Sequence, residues 1–540
     1  MISEKLVKYF EEPIKSNWDQ IALTDYDNGS LKYSDIGKII LSLHKLFEEH
    51  KIEQGDKIAL VGKNCGNWGC VYLAAISYGA VIVPLLQDFP SNDIYKLTNH
   101  SDSKLLFASE FIFAKFDTDK FTNLQSIYCL DDFTIKHNYI DSEHHFSKFD
   151  DSITGKQFTL TEHDNDKLAA ILYTSGTAGE PKGVMLNHNT LSANIRYARA
   201  NMPLVAGDRI VSFLPLAHCY GCAFEFLYPF SLGCTITFLG RLPSPNIVVK
   251  AFNEIKPKLI LTVPLVLEKV YKNKIIPVLN KKSIKIMLKL PILKNVIYNK
   301  VKKSLNESFG GNFIEVVVGG AKLNREVEVF LRKIGFRFSI GYGMTECGPL
   351  ITYDGWKTTK IFSAGKVVDT LEIQIDSKQP DKKVGEILLR GENIMNGYYK
   401  NEEETKKAFT DDGWMRTGDL GLIDKDGYLF IKGRSKSMIL NASGKNIYPE
   451  EIESKLLNLP LVSECVVVGR KNQIIALVYP DHERLERQNL DKEHVEMVMV
   501  NYQKLVNKNL PQHMKINKMV IRDEEFEKTP KKSIKRYLYN

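Results

Sequence analysis

Continuous apolar runs alternate with longer amphipathic stretches through the first hundred residues. Residues 57–61 (KIALV) and 80–85 (AVIVPL) are rich in β-branched side chains, which predicts buried strands. Residues 32–46 and 67–79 have the apolar spacing of helices. Because strands and helices alternate, the pattern predicts a mostly parallel sheet covered by helices. Residues 111–165 are polar and irregular and predict no particular element.

Later apolar runs end in glycine, proline, hydroxyl or charged residues. We interpret as strands the runs at residues 168–173, 210–218, 256–264, 313–318 and 336–340. Ligands of α/β sheets bind beyond the carboxyl ends of the strands. The polar residues that follow these runs are therefore candidates for one shared site.

The residues after the run at 168–173 combine three features that a polyphosphate needs. Glycines and small hydroxyl residues leave backbone N–H groups bare, hydroxyls add donors, and Lys182 adds a positive charge. The hydroxyl and glycine residues are Thr174, Ser175, Gly176 and Thr177. We favour phosphate binding, and the alternative is an ordinary turn between a strand and a helix.

This stretch is not a Walker A loop. That motif places a glycine before the lysine and a hydroxyl after it, whereas Pro181 precedes Lys182 here and Gly183 follows. The stretch does not match the dinucleotide motif GxGxxG either.

Two further strand ends predict a nucleotide and metal site. The run at 313–318 ends in Gly319, Gly320 and Ala321, where missing side chains allow a flat ring to approach the backbone. The run at 336–340 ends in GYGMTE, which offers the Tyr342 ring for stacking, a hydroxyl and the Glu346 carboxylate. The alternative for the first of these ends is a tight turn.

His218 ends the run that finishes in LPLAH, just before a helix predicted to start near Cys222. A side chain at such a junction can face a cleft, although a lone histidine is more often a core or solvated residue. Cys219 and Cys222 form a CxxC pair, but no second pair and no paired histidine supports a zinc or redox site.

The pattern changes to short strands and turns from about residue 360 to residue 430, which predicts a small β-barrel or β-rich layer. Asp419 is predicted in a turn. Charge and glycine interrupt the apolar pattern near residue 433, where we place a domain boundary. The predicted units are residues 1–432 and a small α+β domain of residues 433–540.

Composition narrows the class of protein. The 540 residues are enough for several domains, and the net charge of +8 is mild for this length, so no particular partner and no nucleic acid is expected. The N-terminus does not look like a secretory signal, and no apolar stretch is long enough to span a bilayer. Eight scattered cysteines favour a reduced, cytoplasmic protein.

One segment has an unusual charge pattern. Between Lys269 and Lys303 the chain carries eleven lysines and no acidic residue, with isoleucine, leucine and proline between them. Such a surface can rest on anionic lipid headgroups, so peripheral contact with the inner face of a membrane is one interpretation of the segment. The alternative is a solvated helical excursion.

The chain resembles the adenylate-forming (AMP-binding) superfamily, which includes acyl-CoA synthetases, luciferases and nonribosomal adenylation domains. The resemblance covers nearly the whole chain, and its blocks are YTSGTAGEPKGVML, LPLAHCY, GYGMTE, GEILLRGENIMNGYYK and WMRTGD. The form LPLAHxY is most like long-chain fatty acyl-CoA synthetases. The resemblance implies an α/β fold whose large N-terminal domain has two α/β sheet subdomains and a small β-barrel, followed by a smaller mobile α+β C-terminal domain.

The resemblance also implies roles for individual residues. His218 would lie beside the carboxylate substrate, and Glu346, with Thr174, would hold Mg²⁺. Asp419 would bind the ribose hydroxyls, and Lys436 would be the hinge. The other ATP or AMP contacts would come from Ser175, Gly176, Thr177, Lys182, Gly319, Gly320, Ala321, Gly341, Tyr342, Gly343, Met344, Thr345, Ile431 and Arg434. The coenzyme A tunnel would be lined by Ser443, Gly444 and Lys445.

The last block departs from the family pattern. Aligning FEKTPKKSIKR on Thr529 and Pro530 places Ser533 where the family has a catalytic lysine. The neighbouring Lys532 is our candidate for that role, because a flexible ammonium in a terminal loop can shift to reach the substrate. Lys535 is the other candidate.

The implied function is that of an ATP-dependent fatty acid–CoA ligase. A carboxylate would attack the α-phosphate of Mg-ATP, and coenzyme A would then take the acyl group and release AMP. The alternatives are an enzyme that adenylates another carboxylic acid, such as an aryl acid, or uses a carrier-protein acceptor, and a non-catalytic acyl or nucleotide binder.

Overall fold

The computed structural model describes residues 2–26, 28–141, 143–147, 152–175, 181–240, 245–440, 446–470, 473–529 and 534–539. Its helices are α1 (Lys8–Ser16), α2 (Tyr33–Glu49), α3 (Gly66–Tyr78), α4 (Ser91–His100), α5 (Glu110–Phe113), α6 (His188–Asn201), α7 (Cys219–Gly221), α8 (Tyr228–Leu232), α9 (Pro245–Ile255), α10 (Pro264–Val270), α11 (Ile276–Leu279), α12 (Lys282–Met287), α13 (Pro291–Ser308), α14 (Arg325–Lys333), α15 (Glu402–Ala408), α16 (Pro449–Leu456), α17 (His482–Arg487) and α18 (Lys492–Lys508).

The strands of the N-terminal half are β1 (Ile21–Asp25), β2 (Gly29–Lys32), β3 (Lys57–Val61), β4 (Val81–Leu85), β5 (Ser103–Ala108), β6 (Ser126–Cys129), β7 (Ile135–Asn138), β8 (Leu168–Ser175), β9 (Pro181–Asn187), β10 (Arg209–Ser212), β11 (Thr235–Phe238) and β12 (Leu259–Thr262). Those of the C-terminal half are β13 (Glu315–Val318), β14 (Phe338–Ile340), β15 (Tyr342–Gly343), β16 (Leu350–Tyr353), β17 (Lys366–Val367), β18 (Leu371–Asp376), β19 (Gly385–Gly391), β20 (Gly397–Tyr398), β21 (Met415–Ile423), β22 (Leu429–Arg434), β23 (Ile439–Leu440), β24 (Asn446–Ile447), β25 (Val462–Arg470), β26 (Gln473–Pro480) and β27 (Lys518–Ile521).

Two groups of largely parallel strands form the α/β part of the molecule. The first is an eight-stranded sheet of order β20-β9-β8-β4-β3-β5-β6-β7, in which β4, β3, β5 and β6 run parallel. The second comprises the sheets β10-β11-β1-β2 and β12-β13-β14. The strand–helix alternation of the first hundred residues therefore builds the parallel sheet that its pattern predicts, and β3 has the predicted bounds.

The stretch after residue 173, for which we favour phosphate binding, joins two strands and not a strand and a helix. Strand β8 pairs antiparallel with β9, and Thr174 lies opposite Lys182 in that register. The helix that follows, α6, begins only after β9. Any phosphate in this loop would therefore meet hairpin backbone and side chains, without the dipole of a helix N-terminus.

Residues 111–165, which predicted no element, contain part of the sheet. Strands β6 and β7 pair antiparallel at its edge, with Ile127 opposite His137. The side chains of β7 are only half-buried, so their polar character concealed the strand.

The predicted β-rich part consists of small antiparallel sheets. One is β18-β19-β21-β22 and another is β15-β16-β17. An isolated bridge connects Lys366 of β17 with Tyr428, the residue before β22. The C-terminal part contains the sheet β25-β26-β27, the antiparallel pair β23–β24 and the helices α16, α17 and α18. Residue 433 lies within β22, and the boundary there and the mobility of the C-terminal part stay predictions.

The apolar residues form separate cores. Trp68 and Phe226 belong to the largest cluster, whereas Phe313 and Phe336 belong to a second one beside β12, β13 and β14. Ile452 belongs to a third, confined to residues after 438. All eight cysteines are buried thiols. Among the described residues, no helix combines the length and apolar character needed to cross a bilayer.

Candidate active site

Gly319, the first glycine after β13, lies against an aromatic ring. The Gly319 N–H donates to the Thr262 carbonyl at 3.0 Å, and a Cβ on Gly319 would lie 2.9 Å from Cζ of Tyr220. Tyr220 is held there because its hydroxyl donates to the Val317 carbonyl at 3.1 Å. The Gly341 N–H in turn donates to the Val318 carbonyl at 3.0 Å, so the two glycine segments lie on neighbouring strand ends, as predicted.

Tyr342 and Asp419 are in direct contact. The Tyr342 hydroxyl donates to Oδ2 of Asp419 at 2.6 Å, and Nε of Arg434 lies 3.0 Å from Oδ1. Asp419 is only 5% exposed, and burial raises the pKa of its carboxyl although Arg434 favours the charged form. The structure thus gathers three residues that the sequence separates by up to 92 positions, the difference between 434 and 342.

Asp419 lies in strand β21, not in the predicted turn. It is opposite Arg434 of β22, and Gly418 before it has a φ of +70°. The register of the pair shifts between Leu420 and Gly421. The glycine therefore marks a local irregularity inside a strand, which redirects a side chain without ending the strand.

Lys182 is held by an ion pair from a distant helix. Its Nζ contacts a carboxylate oxygen of Glu404 on α15 and lies 4.8 Å from the centre of the Tyr398 ring. Hydrogen bonds from Lys182 and Lys407 lower the pKa of Glu404 to about 2. Lys182 thus has a carboxylate partner in the position where phosphate oxygens are expected.

Glu346 shares this neighbourhood through Tyr398, whose hydroxyl donates to Oε1 of Glu346 at 2.9 Å. In the part of the chain that the structure describes, Oε2 of Glu346 has no hydrogen-bond partner. No cluster of three or more His, Cys, Asp or Glu side chains suited to a metal occurs among the described residues. One carboxylate oxygen without a described partner near the Lys182 neighbourhood fits Mg²⁺, which takes few protein ligands and completes its shell with phosphates and water.

His218 lies next to the GYGMTE segment. It caps α7, where the Tyr220 N–H lies 3.3 Å from His218 Nδ1, and the thiol of the adjoining Cys219 lies 3.6 Å from Oγ1 of Thr345. The helix begins at Cys219, three residues before the predicted start, and continues as a π-helical turn over Cys222–Leu227. π-Helical turns are frequent at functional sites.

Strand β10 ends at Ser212, earlier than the LPLAH pattern predicts. The N–H groups of Phe213 and Leu214 donate to one carboxylate oxygen of Glu225, each at 2.9 Å, and the Ser212 hydroxyl donates to the same oxygen at 3.0 Å. Because Glu225 takes these donors, the chain leaves the sheet and reaches His218 as a loop.

The remaining predicted residues lie as follows. Ser175 ends β8, Thr174 precedes it, and the Met344 N–H donates to the Pro349 carbonyl at 2.9 Å. Ile431 lies in β22 opposite Gly421, and Lys436 lies in a single 3-10 turn after β22. The residues that lie outside the described part of the chain are Gly176, Thr177, Ser443, Gly444, Lys445, Lys532 and Ser533.

Sequence reasoning missed three side chains of this site: Tyr220, Tyr398 and Glu404. Tyr398 belongs to the block GENIMNGYYK, which carried the resemblance without receiving a role. Glu404 follows in the acidic first turn of α15. Its partner Lys182 is 222 positions away, so no local pattern could have paired them.

Comparison with known families identifies the chain. The model of the AMP-binding enzyme family matches residues 10–399, and that of the AMP-binding enzyme C-terminal domain matches residues 436–539. The chain belongs to the AMP-binding enzyme family. It is thus a member of the adenylate-forming superfamily, and the predicted resemblance to long-chain fatty acyl-CoA synthetases is confirmed.

Relatives of this AMP-binding enzyme include a long-chain-fatty-acid–CoA ligase, FadD15, of Mycobacterium bovis. It is 30% identical over 473 residues, which are 81% of this chain and 74% of the relative. Long chain acyl-CoA synthetase 5 of Arabidopsis thaliana is 26% identical, over 84% of this chain and 74% of the relative.

Solved structures confirm the fold class of this AMP-binding enzyme. The anthranilate CoA ligase AuaEII, in complex with anthranoyl-AMP, has a TM-score of 0.79 at 17% identity, with 99% of this chain and 96% of that chain covered. The o-succinylbenzoate CoA synthetase MenE of Bacillus subtilis, in complex with its acyl-adenylate OSB-AMP, has a TM-score of 0.78 at 20% identity, with 100% and 99% covered.

Proposed function

We propose that this protein is an ATP-dependent acid–thiol ligase that activates a fatty acid as an acyl-adenylate and transfers the acyl group to coenzyme A. The contacts of Asp419 with Tyr342 and Arg434 carry the proposal. They set a ring, a two-oxygen acceptor and a cation side by side, next to the glycine segments that follow β13 and β14. Adenine, ribose and phosphate present the complementary groups.

In the first half-reaction, an oxygen of the substrate carboxylate attacks the α-phosphorus of ATP. The bond from that phosphorus to the bridging oxygen breaks, and pyrophosphate leaves with the electron pair. Lys182 would neutralise the charge that develops, together with the backbone and hydroxyl donors expected from the sequence after Tyr173, and preorganised donors of this kind contribute about 3–4 kcal/mol each. Mg²⁺ bound at Glu346 would neutralise phosphate charge.

The contacts of Lys182 and Asp419 are the ones that ATP would replace. Phosphate oxygens would displace Glu404 from Lys182, and ribose hydroxyls would take the Asp419 oxygens now occupied by Tyr342 and Arg434. His218 would lie near the carboxylate that attacks. Lys532, or alternatively Lys535, would replace the family lysine at the position of Ser533.

In the second half-reaction the coenzyme A thiol attacks the acyl carbonyl of the adenylate, and AMP leaves. We assign the hinge for this step to Lys436 and the thiol tunnel to Ser443, Gly444 and Lys445. Domain rotation of this kind acts as a gate that admits the second substrate. A cytoplasmic location stays a prediction.

The fatty acid is proposed from the relatives that are named for long-chain acids. The fold itself does not distinguish acids, since anthranilate and o-succinylbenzoate ligases share it.

A coupled assay of AMP release tests the proposal. With saturated acids of graded length, ATP, Mg²⁺ and coenzyme A, we expect turnover that rises with chain length, and little with benzoate or anthranilate. Higher turnover with aryl acids would indicate an enzyme that activates another class of carboxylic acid. Turnover only with an acyl-carrier protein would indicate a carrier-protein acceptor instead of coenzyme A. No acid-dependent AMP under any condition would indicate a non-catalytic binder.

A further inference from the structure

The helical segment from α10 to α13 is packed against the rest of the protein near its two ends. Ile275 and Ile297 are buried, and the Tyr271 and Tyr298 rings lie 5.2 and 6.1 Å from the ring of Phe330 on α14. The two ends of the excursion are thus packed on the second core.

The middle of the segment exposes large apolar side chains. Ile286 of α12 is 65% exposed, Leu290 between α12 and α13 is 52% exposed, and Ile292 near the start of α13 is 81% exposed. These residues lie within seven positions of one another, counted from 286 to 292. Single exposed apolar residues are ordinary, but a group at the tip of one excursion marks an interaction site.

Lysines surround this apolar tip. Lys281, Lys282, Lys285 and Lys289 are all exposed, and they precede or separate Ile286 and Leu290. None of them pairs with a carboxylate in the part of the chain that the structure describes. These four lysines therefore present a positive surface without a described carboxylate partner, in a segment that has no acidic residue between Lys269 and Lys303.

We propose that this tip, defined by Ile286, Leu290 and Ile292 with the four lysines around them, docks on an anionic lipid bilayer. The apolar side chains enter the boundary between headgroups and acyl chains, and the ammonium groups stay at the level of the lipid phosphates. A nucleic acid would match the charge but not the apolar tip, so the combination favours lipid. The docking does not depend on which acid the enzyme activates.

The test is co-sedimentation of the full chain with vesicles. We expect binding to vesicles of equal parts phosphatidylcholine and phosphatidylglycerol, and much weaker binding to phosphatidylcholine alone. Binding should weaken as ionic strength rises above about 0.1 M, where the Debye length is about 10 Å. Equal binding to both vesicle types, or to neither, overturns the proposal.

Two variants separate the charge from the apolar contribution. Replacing Lys281, Lys282, Lys285 and Lys289 by glutamine should lower the partition coefficient by about fivefold for each lysine removed. The double variant I286S/I292S should lower it by about tenfold or more while it keeps the salt dependence. Because all six side chains are exposed, both variants should keep the unfolding midpoint of the wild type.

Matched controls lie elsewhere on the surface. The controls for charge are Lys378→Gln, Lys382→Gln and Lys383→Gln, in an exposed turn, and those for apolar exposure are Phe111→Ser and Val205→Ser. These controls should bind vesicles like the wild type. If the apolar variant also binds like the wild type while a polyuridylate RNA displaces the protein from vesicles, the surface is a nucleic-acid site and the lipid proposal is wrong.

Discussion

Asp419 is a buried carboxylate whose two oxygens already have partners. Tyr342 donates to one oxygen and Arg434 pairs with the other, although burial disfavours the charge. A buried charge is costly unless it is paired and hydrogen-bonded, and both oxygens of Asp419 meet that condition. Buried titratable groups with shifted pKa values cluster at functional sites, which makes Asp419 a candidate for ligand recognition.

Replacing Asp419 by asparagine should weaken AMP binding by about tenfold or more. The change removes the charge that strengthens hydrogen bonds to the ribose, and such bonds contribute about 1.5–3 kcal/mol. Isothermal titration calorimetry with AMP measures the effect. The control is Asp376→Asn, an exposed carboxylate on the same sheet, and an unchanged dissociation constant in the Asp419 variant would remove this residue from the nucleotide site.

The raised pKa of Asp419 predicts a pH dependence of nucleoside binding. A carboxyl with a raised pKa becomes protonated at a higher pH than an exposed aspartate, so affinity should fall on acidification earlier than the usual aspartate range implies. Adenosine is the suitable ligand, since it has no phosphate to titrate. The same fall in the Asp419→Asn variant would show that another group titrates.

Glu404→Gln should lower the KM for ATP, by up to about fivefold. In the wild type ATP has to displace the Glu404 carboxylate from Lys182, and a partly exposed ion pair contributes about 1 kcal/mol or less. Initial rates of pyrophosphate release at varied ATP give the KM. Glu403→Gln is the matched control, because Glu403 lies on the same helix and pairs with Lys407. A raised KM would mean that Glu404 positions Lys182.

The residues of the site that sequence could identify are those at strand ends. Gly319, Tyr342 and Glu346 follow apolar runs, and the rule for ligand position in α/β sheets is enough to select them. Tyr398 and Glu404 act through partners 52 and 222 positions away. Such pairs depend on the packing of separate elements, which local patterns do not contain.

At the scale of elements, the end of β10 determines where His218 lies. One carboxylate oxygen of Glu225 receives two N–H groups and a hydroxyl, and its own π-helical turn is buried. Burial raises the pKa of this carboxyl well above its usual range. The contact joins the strand to the turn that follows His218.

Glu225→Ala should lower the free energy of unfolding by about 1–3 kcal/mol, because it leaves buried donors without an acceptor. Glu225→Gln keeps a carbonyl oxygen at the same position and should cost less. Urea unfolding followed by tryptophan fluorescence measures both. Equal losses in the two variants would contradict this role for the acceptor.

Strands were predicted correctly where a single hydrophobic pattern ran through the whole element. β3 is a continuous apolar run, and its bounds match the prediction. The hairpin β8–β9 was missed because glycine, proline and lysine interrupt the second strand, so Pro181–Asn187 looked like a loop. β7 was missed because it is an edge strand with half-buried side chains.

At the scale of the whole molecule, the C-terminal part has its own core and few described polar contacts to the rest. Asn324 donates to the Ser454 carbonyl at 3.1 Å, and Arg484 donates to Oδ1 of Asn273 at 2.9 Å. A cluster that includes Ile452 and Met499 packs without residues from before 438. This division is consistent with two units that can rotate against each other.

A fragment of residues 435–540, which begins after β22, should therefore fold alone. We expect dispersed amide signals in a ¹H–¹⁵N correlation spectrum and a cooperative thermal transition by circular dichroism. A fragment of residues 473–540, which lacks β25, should not fold. A disordered spectrum for the longer fragment would contradict an independent C-terminal domain.

The segment beneath the apolar tip also reaches the C-terminal domain. Lys272, in the π-helical turn before α11, donates to the Val462 carbonyl at 3.2 Å, and Asn273 beside it accepts from Arg484. An enzyme bound to a bilayer through Ile286 and Ile292 would therefore hold its C-terminal domain close to the same bilayer. Membrane binding would then affect the proposed rotation of that domain. The rate of thioester formation should change when vesicles are added, even with a water-soluble acid.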